Sequence, residues 1–300
     1  MASPTRSRLA VVAAALLFST GGAAIKLVSL PPLQLAGLRA LVAALTLLVV
    51  LRVPWRSFRS AALLIGVAQA ATMVLFVVGN KLTTAASTIF LQSTAPLYVL
   101  LASPALLGER IRRGDLLFLA LFAAGLALFF IGVDPTQATA PDPVRGNVAG
   151  LASGMSWAAT VLGLRWLAVR ERAPLDPAPV QSVAGVRNPD LVAAATVVGN
   201  VLVFVACLPW LTPLPAVSVR DALVVGWLGV FQVGGAYALL ARGVRQVRAF
   251  DATMLMLIEP VLNPIWAWLL HGETPGTWSL AGGVVILVTT AVRTWYNPRP

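Results

Sequence analysis

The chain has 300 residues, of which 58% are hydrophobic and only 11% charged, and its mean hydropathy is +0.85. No single water-soluble core buries this much apolar surface, so the composition excludes an ordinary soluble domain and indicates a membrane protein. A net charge of +11 would suit nucleic acid if the arginines clustered on one soluble domain. They fall instead in short loops between apolar stretches, so we expect no nucleic-acid partner.

Apolar runs of about 18 residues or more recur along the chain, and each is long enough to cross roughly 30 Å of hydrocarbon as a helix. Backbone polar groups inside a membrane have to be satisfied within each span, so these runs are predicted to be helices. The ten predicted spans cover roughly residues 9–27, 33–51, 61–79, 85–107, 116–133, 148–169, 191–211, 223–241, 252–270 and 278–292.

The first span also has features of a secretory signal, because Arg6 and Arg8 precede an apolar stretch that runs into the small residues STGGAA. Its length, and its partner in the repeat described below, favour a membrane span. Cys207 is the only cysteine, so the sequence contains no intrachain disulfide.

Arginines are concentrated in every second loop between the spans. Most of the 22 basic residues fall on one face, in groups such as Arg110, Arg112 and Arg113. By the positive-inside rule that face, and with it both termini, is predicted to be cytoplasmic.

An internal repeat relates the two halves of the chain. Pro96, Gly108 and Glu109 align with Pro260, Gly272 and Glu273 at an offset of 164 residues, and other pairs align at nearby or shorter offsets. At an offset of 163 Gln69 matches Gln232, and at 139 Phe18 matches Trp157 and Lys26 matches Arg165. The repeat predicts two five-helix units, residues 1–140 and 141–300, joined by the polar, proline-rich segment 134–146. Because five is odd, the second unit is inverted in the membrane, as in many secondary transporters.

These features together resemble a known family. The ten spans, the duplicated unit, the proline followed twelve residues later by Gly-Glu in both halves, and the Glu259-Pro260 pair are similar to the EamA domains of the drug/metabolite transporter superfamily. The resemblance implies a carrier for small metabolites in the bacterial inner membrane, with a central cavity between the halves. The chain length and the aromatic and amide residues of its inner helices resemble YddG-like amino-acid exporters. The sequence departs from symmetry at Ala95, which matches Glu259.

Glu259 is the acid predicted to lie deepest in the membrane. An ionised, unpaired carboxylate at that depth costs a few kcal/mol or more, so it is expected to face the interior, to be protonated or to have a cationic partner. Helical spacing places Glu259, Asn263 and Trp266 on one face. A substrate or proton site and a structural hydrogen bond are both open interpretations.

Basic residues in the spans are weighed between a functional and an interfacial interpretation. Arg39 is predicted to neutralise Glu259, to bind a substrate carboxylate or to extend to the outer interface. Lys26 and Lys81 lie near outer helix ends, where extension to the interface is expected, and His271 is expected to be interfacial.

Amide and aromatic side chains accompany these charges in the inner helices. Amides in hydrocarbon need partners, so interhelical hydrogen bonding is the alternative to a ligand site. Pro96 and Pro260 are predicted to bend their helices. The candidate substrate-binding residues are Glu259, Asn263, Gln92, Tyr98, Gln69, Gln232, Trp157, Arg39 and Phe76.

Motifs of enzyme chemistry are absent from the sequence, including a Walker loop, a metal-binding Cys/His spacing and a Gly-x-Ser-x-Gly elbow. We therefore expect no enzyme, cofactor or metal. The predicted function is a secondary carrier that exports amino acids, aromatic or other neutral ones, by alternating access, with a proton as a possible coupling ion. A multidrug or other metabolite carrier, and a membrane enzyme or scaffold, are the alternatives.

Overall fold

The computed structural model of the chain describes residues 4–107, 113–131, 136–170, 189–212, 217–243 and 255–296. Within these ranges the regular structure is helical, and the one extended pairing is a single bridge between Gln137 and Ala140. The described chain is therefore all-α, as its composition predicts.

The helices follow the predicted spans in order. The α-helices are α1 (Pro4–Ser19), α2 (Gly21–Leu27), α3 (Pro32–Leu51), α4 (Ser60–Leu82), α5 (Ala85–Gln92), α6 (Ala95–Leu107), α7 (Arg113–Ile131), α8 (Pro143–Arg170), α9 (Pro189–Cys207), α10 (Val219–Trp227), α11 (Ala236–Gly243), α12 (Ile258–His271) and α13 (Thr277–Tyr296). A π-helical segment, Leu228–Gly235, joins α10 to α11, and short 3-10 helices lie at Trp55–Ser57 and Leu208–Trp210.

Helical residues occur at each of the ten predicted spans. By length and apolar composition, six helical stretches in the described ranges are able to cross a membrane, and the helices at Leu116–Ile131 and Thr277–Val292 are apolar but shorter. The six stretches are Thr5–Leu27, Pro32–Leu51, Ser60–Leu82, Ala85–Ala102, Ala193–Trp210 and Val219–Leu240.

Several spans are interrupted where the sequence predicts continuous helices. Thr20 separates α1 from α2, and Ser93 with Thr94 separates α5 from α6. In the ninth span Leu257 forms a turn directly before α12. At the offset of 164 residues this turn matches Ser93, so the two repeats are interrupted at equivalent positions.

The prediction that Pro96 and Pro260 bend continuous helices from the middle is wrong in detail. Both prolines lie in the first turn of a helix that begins after an interruption, at Ala95 and Ile258. A proline is well accommodated there, because the first N–H groups of a helix have no intrahelical acceptor. The prolines inside helices are Pro104 and Pro264.

Helices from the two halves of the chain pack directly on one another. α4 packs on α8 and α9, α3 on α9 and the π-helical segment, α7 on α13, and α1 on α11 and α12. Small residues permit this approach: a Cβ atom added to Gly282 of α13 would lie 2.6 Å from the carbonyl oxygen of Gly125 in α7. The main core contains the fully buried Phe122 and Phe129.

The outward surface of the bundle is apolar. Val49 and Leu64, on α3 and α4, expose 74% and 70% of their surface, and many other large apolar side chains are similarly exposed. Such a surface would drive aggregation in water and is suited to lipid.

Candidate functional site

Arg39 lies in α3 with its side chain directed into the bundle. It is 3% exposed, and its Nη1 and Nη2 groups donate to Gln232 Oε1 at 3.5 Å and to the Met73 carbonyl at 3.4 Å. Its Nε group has no hydrogen-bond partner. These interior contacts exclude extension of Arg39 to the outer interface.

Two further polar side chains approach Arg39. Gln69 is 3% exposed and lies on α4 one helical turn before Met73, whose carbonyl contacts Arg39. Tyr237 of α11 forms a side-chain hydrogen bond with Gln69 and interacts electrostatically with Arg39 and Glu259. Gln232 therefore contacts Arg39 directly, and Gln69 and Tyr237 form a pair nearby.

Gln232 lies in the π-helical segment. π-helical turns are uncommon and are frequent at functional sites. A Cβ atom added to Gly21 would lie 2.7 Å from Gln232 Nε2, so this glycine allows the amide to approach α2 closely. The Gln232 amide thus lies between the first and second spans.

α12 presents one polar face to the interior. Glu259 is partly buried in its first turn, Asn263 is fully buried, and Trp266 Nε1 donates to Ser19 Oγ at 3.0 Å. Trp268 of the same helix is 56% exposed. The structure therefore places the face predicted from helical spacing against its neighbours α1, α2 and α5.

Asn263 is unusual because neither its Nδ2 nor its Oδ1 atom has a hydrogen-bond partner. Asn80 donates to the Phe76 carbonyl at 2.9 Å, and its Oδ1 is also without a partner. Both amide oxygens approach Gly22, where an added Cβ atom would lie 2.3 Å from Asn263 Oδ1 and 2.9 Å from Asn80 Oδ1. The glycine is thus required for close contact of α2 with α4 and α12.

The remaining candidates lie on other helices. Gln92 Nε2 donates to Ser153 Oγ of α8 at 3.0 Å, which is the interhelical bond given above as the alternative to ligand binding. Phe76 is buried in the main core, Tyr98 packs against that core, and Trp157 is partly buried on α8. Among the described contacts none joins these four residues to Arg39, so their place around a cavity stays a prediction.

Lys26 and Glu273 form a buried ion pair at the other end of the candidate face. Lys26 Nζ lies 2.9 Å from Glu273 Oε2, with the two side chains 2% and 1% exposed, and it also donates to the Thr83 carbonyl at 2.8 Å. Glu273 Oε1 accepts a bond of 2.5 Å from the Ala85 backbone N–H, where the N-terminus of α5 favours a negative group. The expectation that Lys26 extends to the interface is wrong, because its ammonium group is held inside by Glu273.

Asp221 is a second buried acid that the sequence analysis did not place in the interior. It is 3% exposed and accepts bonds from the Ser29 N–H at 3.0 Å and from Ser29 Oγ at 2.6 Å. Its own N–H donates to Ser218 Oγ, the N-cap of α10. The spacing Ser-x-x-Asp is a helix-capping signal that could have located this contact. Asp221 is thus held against Ser29 at the start of the eighth span, and the prediction that Glu259 is the deepest acid stays a prediction.

Lys81 and His271 also contact backbone rather than open surface. Lys81 Nζ donates to the Val28 carbonyl, and His271 Nε2 lies 2.9 Å from the Ala23 carbonyl oxygen. Within the described ranges no group of three or more His, Cys, Asp or Glu residues is placed to hold a metal ion.

A bundle of helices with an apolar outer surface, and with charged and amide side chains in its interior, defines a multi-pass membrane protein. The sequence model of the EamA-like transporter family matches residues 6–131 and 144–295, so the chain belongs to that family of membrane transporters. It is similar to a solved crystal structure with 20% sequence identity and a TM-score of 0.63, over 99% of this chain and 100% of the other. At that identity the likeness shows a shared fold. No curated protein matches the chain.

Proposed function

We propose that this transporter exports amino acids, aromatic or other neutral ones, across the bacterial inner membrane by alternating access. The observation that carries the proposal is the group formed by Arg39, Gln69, Gln232 and Tyr237, with Glu259 in electrostatic range of Tyr237. Oppositely charged groups, amides and a phenol in an otherwise apolar interior suit a small ligand that carries both charges.

The proposed topology has ten spans in two inverted units, residues 1–140 and 141–300, with both termini in the cytoplasm. Helical residues at each predicted span, two separate family matches and equivalent interruptions before α6 and α12 support it. The arginine-rich loops support the orientation. In this topology the polar group is built from both units, because Arg39 and Gln69 come from the first and Gln232, Tyr237 and Glu259 from the second.

Glu259 is the proposed proton carrier. It is partly buried, within electrostatic range of Tyr237, and has no cationic side chain within ion-pair distance among the described residues. A carboxyl group in such a place gains or loses a proton readily when its surroundings change between open and closed states. The remaining candidates, Asn263, Gln92, Tyr98, Trp157 and Phe76, are proposed to complete the cavity wall.

The test is uptake and counterflow of radiolabelled neutral amino acids in proteoliposomes, with and without an imposed proton gradient. The variant is Glu259→Gln, which removes the ionisable group and keeps the shape. Asp142→Asn is the matched control, because Asp142 is a partly exposed acid at the start of α8, away from the polar group. We expect the gradient to stimulate flux in the wild type and in the control, and this stimulation to be lost in Glu259→Gln.

The possible outcomes test the proton coupling and the substrate class separately. Gradient-independent amino-acid flux that a folded Glu259→Gln variant retains would make the protein a facilitator and Glu259 structural. Flux of lipophilic drugs or other metabolites in place of amino acids would show one of the alternative carriers.

A further inference from the structure

The interior around Arg39 contains more hydrogen-bond donors than acceptors. The two bonds that Arg39 makes, at 3.5 Å and 3.4 Å, lie at the long limit for N–H···O contacts. Its Nε group makes none, although the residue is 3% exposed. A guanidinium group has five N–H donors and no acceptor, so most of its donor capacity is unused here.

Gln69 and Tyr237 lie near this group. Gln69 is buried on the same face of α4 as Met73, whose carbonyl contacts Arg39, and its amide forms a hydrogen bond with the Tyr237 side chain. A hydroxyl group that accepts a bond from an amide keeps its own O–H donor, so Tyr237 supplies a second donor. Donors from α3 and α11 therefore lie in one region.

The described residues offer no carboxylate to this region within ion-pair distance of Arg39. Ion pairs between two described residues join Lys26 to Glu273 and Arg145 to Asp142. A buried cation that has only two neutral acceptors bears a large desolvation cost, which an anionic group would offset. Arg39 Nε and Nη2 lie along one edge of the guanidinium plane, and this edge matches the two oxygens of a carboxylate.

We propose that Arg39 and Tyr237 form the subsite for the carboxylate of the transported molecule, that Gln69 holds the Tyr237 hydroxyl group in place, and that Glu259 receives the ammonium group. The inference rests on the proposed function and deepens it. It assigns the substrate class as α-amino acids with both charges free, and it excludes amines, amides and esters that lack the carboxylate. Gln232 is a positioning residue, because its Oε1 accepts from Nη1 and leaves Nε without a partner.

The experiment uses the full chain in proteoliposomes, with counterflow of phenylalanine competed by phenylalanine amide, phenethylamine and phenylpropionate. Relative to phenylalanine, phenylalanine amide lacks the carboxylate charge, phenethylamine lacks the carboxylate, and phenylpropionate lacks the ammonium group. We expect phenylalanine to compete at least about tenfold better than the amide and the amine, since each lacks the bidentate partner of Arg39. The same panel is then measured with Arg39→Lys, Gln69→Leu and Arg145→Gln.

Arg39→Lys retains the positive charge and removes the planar fork. We expect it to reduce the preference for phenylalanine over phenethylamine by about tenfold. Arg145→Gln, which removes an exposed arginine at the start of α8, is expected to keep the wild-type preference. Gln69→Leu is expected to weaken phenylalanine and phenylpropionate together and to leave phenethylamine unchanged, which a purely structural role would not produce.

The outcomes distinguish failure of the subsite from failure of the carrier. If the wild type transports phenylalanine but accepts phenethylamine or the amide equally well, the subsite is overturned and the proposed function stands. If the wild type shows no counterflow of any amino acid, the proposed function fails. If Arg39→Lys does not fold, the wild-type competition series and Gln69→Leu still decide the question.

Discussion

Asn263, Asn80 and Gly22 show at the residue scale how little space separates the helices around the polar interior. Helical spacing in the sequence indicates that Asn263 shares a face with Glu259, and the structure places that face inward. The sequence does not indicate that Asn80 and Asn263 both approach Gly22, because this depends on how α2 packs between α4 and α12. Polar residues within spans can thus be found from sequence, and their partners cannot.

Gly22→Ala is expected to destabilise the protein by about 1–3 kcal/mol, because the new methyl group would overlap Asn263 Oδ1 at 2.3 Å. Gly226→Ala is the matched control, since an added Cβ atom there has no neighbour within 4 Å and alanine favours the helix. Thermal unfolding of the purified variants in detergent checks the prediction. Equal melting temperatures for Gly22→Ala and wild type would contradict the packing described for α2.

Lys26 and Glu273 illustrate a different limit of sequence reasoning. Each residue lies at the end of an apolar stretch, where a charge is commonly interfacial. Their 2.9 Å pairing joins residues that are 247 positions apart, so no local pattern indicates it. A separation of 192 positions likewise explains why Ser29 was not expected to bind Asp221.

The π-helical segment is the feature at the scale of elements that most affects the site. An α-helical wheel places Tyr237 well round the helix from Gln232, because five residues at about 100° each separate the two. Hydrogen bonds between residues five apart, such as that from the Ala236 N–H to the Phe231 carbonyl, instead bring positions five apart to the same face. The eighth span could be predicted from its hydrophobicity, whereas this change of helix type could not.

Deletion of Gly235 is expected to convert the π-helical segment to α-helix and to rotate Gln232 relative to Tyr237 by about 100°. Substrate counterflow should then fall to background while the protein still folds. Gly235→Ala is the control that keeps the length, because an added Cβ atom would have only ordinary contacts at 3.4 Å and beyond.

For the deletion and its control, counterflow in proteoliposomes measures transport, and gel filtration of the purified variants measures whether they fold. Wild-type flux in the deletion variant would show that the relative orientation of Gln232 and Tyr237 does not matter for transport.

Interleaving of the two halves dominates at the scale of the whole molecule. α3, α4 and α7 of the first half pack mainly on helices of the second half. A cycle in which residues 1–140 moved as one block against residues 141–300 would break most of these contacts together. Smaller movements of helix ends beside the interruptions at Thr20, Ser93 and Leu257 preserve them, and they fit alternating access better.

The ends joined by Lys26 and Glu273 are expected to separate in that cycle. Lys26→Cys with Glu273→Cys, in a Cys207→Ala background, can be joined by a short bifunctional thiosulfonate reagent. We expect the cross-link to stop counterflow and a reductant to restore it, because the reagent holds α2 to the end of α12. Counterflow before and after cross-linking is the measurement.

The control for this experiment is a second ion pair, Arg145 with Asp142, at the N-terminus of α8. Cysteines at those positions cross-link one helix to itself, so transport should be unchanged. Full counterflow in a completely cross-linked Lys26 and Glu273 variant would show that these ends stay together throughout the cycle.

Membrane voltage has little effect on the Lys26–Glu273 pair as long as its two charges stay together. A single charge that crosses the full membrane gains or loses about 2.3 kcal/mol per 100 mV. The joined pair has no net charge, and its two members lie 2.9 Å apart at one end of the bundle. Opening this end therefore moves little net charge through the field, so membrane voltage is expected to act on the cycle through the proton and the substrate that cross the membrane and not through this ion pair.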